Sequence, residues 1–297
     1  MKRVGVIGAT GFVGKYLCMA LHARGDEVVA YSRAGRGDVP NVHEWRKNPA
    51  RGEDWDFCGL DAIINLAGER VNQRWTEKNR ALFYDSRVTL SASIAASLRG
   101  MTGKPRVWVN ASAVGYYGDT GDKVVDESGA LAGGYLAELC AQWEAAAADV
   151  DGVRIAHGRI GMVLGNGGMA WDQVKMLFSL GLGARLGHGR QWMAWIHVDD
   201  VVGGLLHAMD HAEICGAFNL VAPEPERNAD FTKLLGKMLR RPAFAFAPTF
   251  ALRLILGDFS SAVLASQRLV PKVLLDHGYT FRFGKLAGAF ENLIGGR

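Results

Sequence analysis

The sequence predicts an α/β fold, a doubly wound parallel sheet with a smaller, mainly helical C-terminal lobe. Short apolar segments alternate with helical stretches of roughly 10–25 residues, the pattern of βαβ units. Glycine accounts for 38 of 297 residues, about twice the ~7% that is usual. Those glycines concentrate in a turn after the first strand and in a second stretch near the middle of the chain. The length corresponds to about two domains at ~150 residues each.

The elements follow in order. Val4-Gly5-Val6-Ile7 reads as a short buried strand, and a glycine-rich turn leads into a helix over 13–24 with Leu17, Ala20 and Leu21 at helical spacing. Gly25-Asp26 ends it, and residues 27–31 form the second strand. Residues 33–59 are polar and irregular, so a second βα unit is short or missing there. A strand over 61–66, a long helix over 76–98, a strand over 106–110, a helix over 135–148 and a strand over 153–157 continue the alternation. Nine glycines then fall between Gly158 and Gly189, around a helix at about 170–180. Helices over 230–239, 249–256 and 285–293 compose the C-terminal lobe. The expected division is 1–165, with 196–222 returning to it, and 166–195 with 223–297 as the substrate lobe.

Composition excludes several classes. Lys and Arg total 34 against 30 Asp and Glu, a net charge of +4 with no long block of one sign. No basic tract suggests nucleic acid, and no apolar run reaches the ~18 residues of a membrane span. The cysteines at 18, 58, 140 and 215 contain no C-x-x-C pair, so neither a disulfide framework nor a cysteine metal site is implied, and a cytoplasmic location is expected. The expected partner is a small molecule; no nucleic acid, membrane or metal is expected, and oligomeric state is not legible.

Gly8-Ala9-Thr10-Gly11-Phe12-Val13-Gly14 is G-x-x-G-x-x-G between a strand and a helix. In a Rossmann-type unit the first glycine permits the tight turn, the second admits a pyrophosphate to the backbone, and the third lets helix and sheet approach. The phosphates would lie on N–H groups at the helix N-terminus. An NAD-preferring unit ends its second strand in a carboxylate that binds the ribose 2′-hydroxyl. Here the segment is Tyr31-Ser32-Arg33, with no acid to repel a 2′-phosphate and a cation to pair with it. One charge-assisted hydrogen bond contributes ~1.5–3 kcal/mol, so NADP is expected over NAD.

Three further segments carry a family resemblance. Asn65-Leu66-Ala67-Gly68 is similar to the strand end that covers the adenosine side of the cofactor in short-chain dehydrogenases/reductases. Asn110-Ala111-Ser112-Ala113-Val114-Gly115-Tyr116-Tyr117-Gly118 resembles the serine-containing strand end of the extended branch. Trp195 to Asp200 resembles that branch's helix start, and Arg159-Ile160-Gly161-Met162-Val163-Leu164-Gly165 also matches. Details such as Gly189-Arg190-Gln191-Trp192-Met193 and residues 266–278 look like the atypical, YfcH-like epimerase-family proteins with a C-terminal domain of unknown function. The resemblance implies an NADP-binding extended fold with Gly8, Thr10, Gly11, Phe12, Val13, Gly14, Ser32, Arg33, Leu66, Ala67, Gly68, Arg87 and Val163 at the cofactor.

The catalytic pattern departs from that family. Its Tyr-x-x-x-Lys pair works because residues i and i+4 share a helix face, which lets the ammonium lower the phenol pKa. If Tyr135 is the tyrosine, Leu139 stands at the lysine place; if Cys140 stands there, Leu136 is at the tyrosine place. Neither register supplies lysine. An unassisted tyrosine has pKa ~10, and recovering ~3 units costs ~4 kcal/mol. A neutral Tyr135 can still donate to a developing alkoxide, which favours carbonyl reduction over epimerisation. Ser112 is the expected carbonyl-polarising group, although alignment on Tyr117-Gly118 would put Ala113 there. Arg87 stands where the branch usually has Asn, to hold a cofactor phosphate or ribose or to pair with Asp85. Arg190, Gln191, Trp192 and Trp195 suit either a substrate pocket or packing. His207 and His211, at i and i+4, lack the Glu of a zinc-binding helix, and Asp199-Asp200 read as helix caps. The expectation is an NADP(H)-dependent oxidoreductase reducing a small-molecule carbonyl, the alternative a non-catalytic NADP(H)-binding sensor.

Overall fold

The computed structural model describes residues 1–295. Its centre is a seven-stranded sheet. The strands are β1 (Arg3–Ile7), β2 (Glu27–Ser32), β3 (Glu44–Lys47), β4 (Ala62–Asn65), β5 (Val107–Ala113), β6 (Arg154–Ile160) and β7 (Gly216–Leu220). Their spatial order is β7-β6-β5-β4-β1-β2-β3, and every neighbouring pair is parallel. Parallel strands buried on both faces read as apolar runs; Val4, Val6, Ile63, Ile64, Val107 and Val109 supply them. The chain reverses its winding beside β1, and the crevice outside the carboxyl ends of β1 and β4 is where such sheets bind ligands.

Helices cover both faces. α1 (Phe12–Ala23) buries Leu17, Cys18 and Leu21, while α2 (Glu77–Tyr84) and α3 (Leu90–Gly100) are joined by a π-helical turn at Asp85–Thr89. α4 (Tyr135–Ala146) follows β5, and α5 (Met169–Ser179) precedes the long α6 (Val198–Asp210). Val201, Val202 and Leu205 of α6 join the α1 side of the core, and Ile94, Ala95 and Leu98 of α3 fill the opposite side with Trp108. A third cluster packs α5 and α7 (Asn228–Leu239) on the C-terminal helix Leu286–Gly295 through Trp171, Phe231 and Phe290. No helix among the described residues is long and apolar enough to cross a membrane.

Two elements differ from the sequence expectation. The expected irregular region 33–59 contains β3, an edge strand of Glu44-Trp45-Arg46-Lys47 whose charges hide a β pattern. Charged residues are common on edge strands because they discourage pairing with another chain. The expected single helix over 76–98 is broken at the π-helical turn. The Asp199-Asp200 caps are corrected as well. His197 is the N-cap of α6 and accepts the Asp199 N–H, whereas Asp200 is buried and receives the Tyr279 hydroxyl and the Arg282 and Phe283 N–H groups. His207 and His211 stack on one another and bond to the His277 and His207 carbonyls, respectively.

Candidate functional site

The glycine turn is sterically specified. Gly8 has φ +87°, and a Cβ there would lie 2.9 Å from the Ala67 nitrogen. A Cβ at Gly14 would lie 2.2 Å from the Gly8 carbonyl oxygen. Gly8 therefore permits the turn to touch β4's end, and Gly14 lets α1 start against the turn. Gly11 is the N-cap of α1 with no side-chain cap, no acidic residue occupies the first turn, and Thr10 and Gly11 are exposed. Free N–H groups and an open backbone make a cradle suited to phosphate. Phe12 and Val13 are half-buried. Cβ atoms at Gly165 and Gly168 would fall 2.7 and 2.6 Å from the Phe12 ring, so Phe12 anchors the loop beyond Val163. Val163 lies on a short strand paired with Ile196.

At β2's end the Ser32 hydroxyl is engaged locally, donating to the Arg36 carbonyl and accepting the Arg36 N–H. Arg33 is exposed and has no ion-pair partner among the described residues. At β4's end Asn65 accepts the Ala67 N–H at 3.1 Å and donates to Asn110 at 2.8 Å. That bond fixes Leu66-Ala67-Gly68 beside Gly8.

Ser112 is 2% exposed and donates to Glu144 Oε1 at 2.6 Å. The expected partner was a substrate carbonyl; the partner found is a carboxylate. Arg159, paired with Ser112 in register on β6, grips the same Glu144 through Nε and Nη2, each at 2.8 Å. It also donates to the Tyr117 hydroxyl, which donates to Asn219. Burial works against the Arg159 charge, and the Glu144 carboxylate more than restores it, leaving its pKa raised. Burial lifts the Tyr117 phenol to about 12. Ser112 thus belongs to a polar network beneath the site.

The structure also resolves the register of α4. A Cβ on Gly115 would lie 3.4 Å from Leu136 Cβ and 3.6 Å from Cys140 Sγ. The i, i+4 pair facing the segment after β5 is therefore Leu136 and Cys140. Burial pushes the Cys140 thiol to about 12, so it is neutral. Tyr135 turns elsewhere: its ring packs on Trp75 and under the Arg80 guanidinium, and its hydroxyl donates to the Arg80 carbonyl at 3.3 Å. Burial raises its pKa too.

Arg87 comes from the π-helical turn, a kind of insertion frequent at functional sites. Its Nη2 donates to the Glu69 carbonyl at 2.8 Å, and its guanidinium lies 5.1 Å from the Trp143 ring centre. A Cβ on Gly68 would meet it at 3.0 Å. Among the described residues it forms no ion pair with Asp85 or any other carboxylate. Desolvation lowers its pKa, and Cys140 and Tyr135 are among the groups opposing that shift. A half-buried cation lacking a counter-ion thus stands between the β4 turn and α4.

The tryptophans are packed. Trp195 is buried and donates to the Glu224 carbonyl. Trp192 donates to Asp122 and has Arg227 and Arg268 guanidinium carbons 4.3 and 4.4 Å from its ring centre. Sequence reasoning missed Gln267, whose amide donates to the Val114 and Gly118 carbonyls at 2.9 and 3.0 Å. It ties the C-terminal part to the segment after β5, and only its place in the 266–278 stretch hinted at a role.

Comparison with known proteins agrees with this fold. Residues 4–220 match the NAD dependent epimerase/dehydratase family, and residues 247–293 match a domain of unknown function. An epimerase family protein of Mycobacterium leprae is 38% identical over 97% of this chain and 94% of its own. A chloroplastic epimerase family protein homologue of Arabidopsis thaliana is 33% identical, covering 98% of this chain and 86% of its own. The crystal structure of human epimerase family protein SDR39U1 with NADPH superposes with a TM-score of 0.90 at 31% identity, covering 99% of this chain and all of that one. The chain belongs to the NAD-dependent epimerase/dehydratase family.

Proposed function

We propose that this protein is an NADP(H)-dependent oxidoreductase that reduces a carbonyl of a small molecule, using Arg87 as the positive group beside the reacting oxygen. The observation carrying the reading is the half-buried Arg87 guanidinium, which has no carboxylate partner among the described residues, next to a phosphate cradle. The cofactor assignment is supported by the Gly8–Gly14 turn, the uncapped α1, an exposed Arg33 that forms no ion pair among the described residues, and the NADPH of the human relative's structure.

NADPH would supply the hydride. Gly11 and the first N–H groups of α1 hold its pyrophosphate, Arg33 its 2′-phosphate, and Leu66, Ala67 and Gly68 line the adenosine side. The chain's own residues decide what acceptor is practicable. Leu136 has no proton to give, and the buried Cys140 thiol is a poor donor. Arg87 has spare N–H groups that can stabilise a developing oxyanion without releasing a proton. Such a site favours carbonyl acceptors whose reduced oxygen tolerates negative charge, as in quinones, the hydroquinone anion then taking its proton from water. Ser112 acts at one remove, by holding Glu144 and Arg159 beneath the strand end.

Removing one donor from an oxyanion costs about 10²–10³ in kcat. Arg87→Leu is therefore expected to slow NADPH oxidation with the best quinone at least a hundredfold, with Arg87→Lys retaining part of the rate. Arg87→Leu turnover equal to the parent would remove Arg87 from the chemistry. Tight NADPH binding without turnover of any acceptor would favour the sensor reading, which the Leu136–Cys140 pair supports.

A further inference from the structure

We infer that Lys47 is a second cation for the cofactor's 2′-phosphate, acting with Arg33 across the ends of neighbouring strands. The inference rests on the NADP(H) reading above. Lys47 ends β3 and pairs in register with Ser32, the residue before Arg33. The turn after β2 folds directly onto it: a Cβ on Gly35, at φ +65°, would lie 3.2 Å from Lys47 Cβ. Arg33 and Lys47 line one cleft of about 330 Å³ with Asn48, Pro49, Ala50 and Glu53.

The cations in that cleft outnumber its one carboxylate. Lys47 is exposed, and like Arg33 it forms no ion pair among the described residues. The single carboxylate, Glu53, accepts the Ala50 N–H at 2.9 Å through Oε2. Two cations against one carboxylate leave the lining positive. Asn48 carries a buried Oδ1 with no hydrogen-bond partner among the described residues. A net positive lining at the carboxyl edge of the sheet suits a phosphorylated nucleoside.

Lys47 extends cofactor discrimination from one residue to two. A 2′-phosphate carries up to two negative charges, and two cations on adjacent strands can hold it from separate directions. Lysine acts here as a point charge, arginine as a planar fork. The pair discriminates more sharply than Arg33 alone, and the gain vanishes for a nucleotide whose 2′-hydroxyl is free.

The test uses 2′,5′-ADP and 5′-AMP as probes, which separate the phosphate contact from everything on the nicotinamide side. Affinities are measured calorimetrically at fixed ionic strength for the full chain and for Lys47→Ala, Lys47→Arg and Arg33→Ala. Lys47→Ala should weaken 2′,5′-ADP about tenfold, equivalent to ~1.4 kcal/mol, and leave 5′-AMP within twofold. Lys47→Arg should keep most of the preference. An unchanged unliganded melting temperature in Lys47→Ala shows that the fold is intact. If the parent prefers 2′,5′-ADP and Lys47→Ala keeps the full preference, or loses both probes equally, the Lys47 assignment is overturned alone. If the parent itself binds both probes equally, the NADP(H) reading falls with it.

Discussion

Ser112 and Tyr135 both carry hydroxyls, and their surroundings assign them different work. Ser112 lies in a carboxylate–guanidinium pair whose side chains are only 14% and 5% exposed. Deleting the hydroxyl removes one hydrogen bond, about 1 kcal/mol. Neutralising Glu144 leaves a buried guanidinium without its counter-charge, a loss of about 3 kcal/mol or more. Urea denaturation should therefore rank Glu144→Gln well below Ser112→Ala in stability. The reverse order would separate Ser112 from this network. Gly8 and Gly14 were legible because their roles are backbone roles fixed by the local motif. The partner of Ser112 was not, because it depends on a residue 32 positions away brought there by α4.

At the scale of elements, hydrophobic periodicity revealed the central strands and the helices that bury one face. It did not reveal β3, whose polar sequence pairs at the sheet edge, nor the π-helical turn at Asp85–Thr89 within an otherwise helical stretch. Those two missed features hold Lys47 and Arg87, the residues to which the proposed cofactor and substrate contacts are assigned. Asp200 shows a second kind of illegibility. From sequence it resembles a cap, yet from α6 it holds Tyr279 and the backbone of Arg282 and Phe283. Those donors lie about 80 residues away in sequence. Asp200→Asn weakens charge-assisted bonds worth about 1.5–3 kcal/mol each. Limited proteolysis should then cut near residues 277–284 faster than in the parent while cleavage within the central sheet stays slow. An unchanged pattern would show that Asp200 does not hold this segment.

At the scale of the whole molecule, buried and half-buried histidines link stability to pH. Burial lowers the pKa of His157 below its ordinary 6.5, and burial does the same for His197 and His207. The unfolded chain therefore takes up protons at a higher pH than the folded one. Stability is greatest above about pH 6.5 and declines as the pH falls through that value, until the folded protein protonates as well. Melting temperature should drop between pH 7.5 and 5.5, and His157→Gln should show a smaller drop; an equal drop would remove His157 as a contributor.

The global arrangement was the most legible part of the chain, since strand–helix alternation and the Gly8–Gly14 turn define the sheet and its ligand edge. The proposed substrate side was least legible, because Trp192 and Trp195 pack and Arg87, the cation assigned to it, comes from an irregular turn. The cofactor edge, with Arg33 beside the Gly8–Gly14 turn, is suited to a 2′-phosphate. Calorimetric titration of the parent protein with NADPH and NADH in one buffer measures this preference. NADPH should bind at least tenfold tighter than NADH, whereas equal affinities would leave Arg33 without a 2′-phosphate to hold.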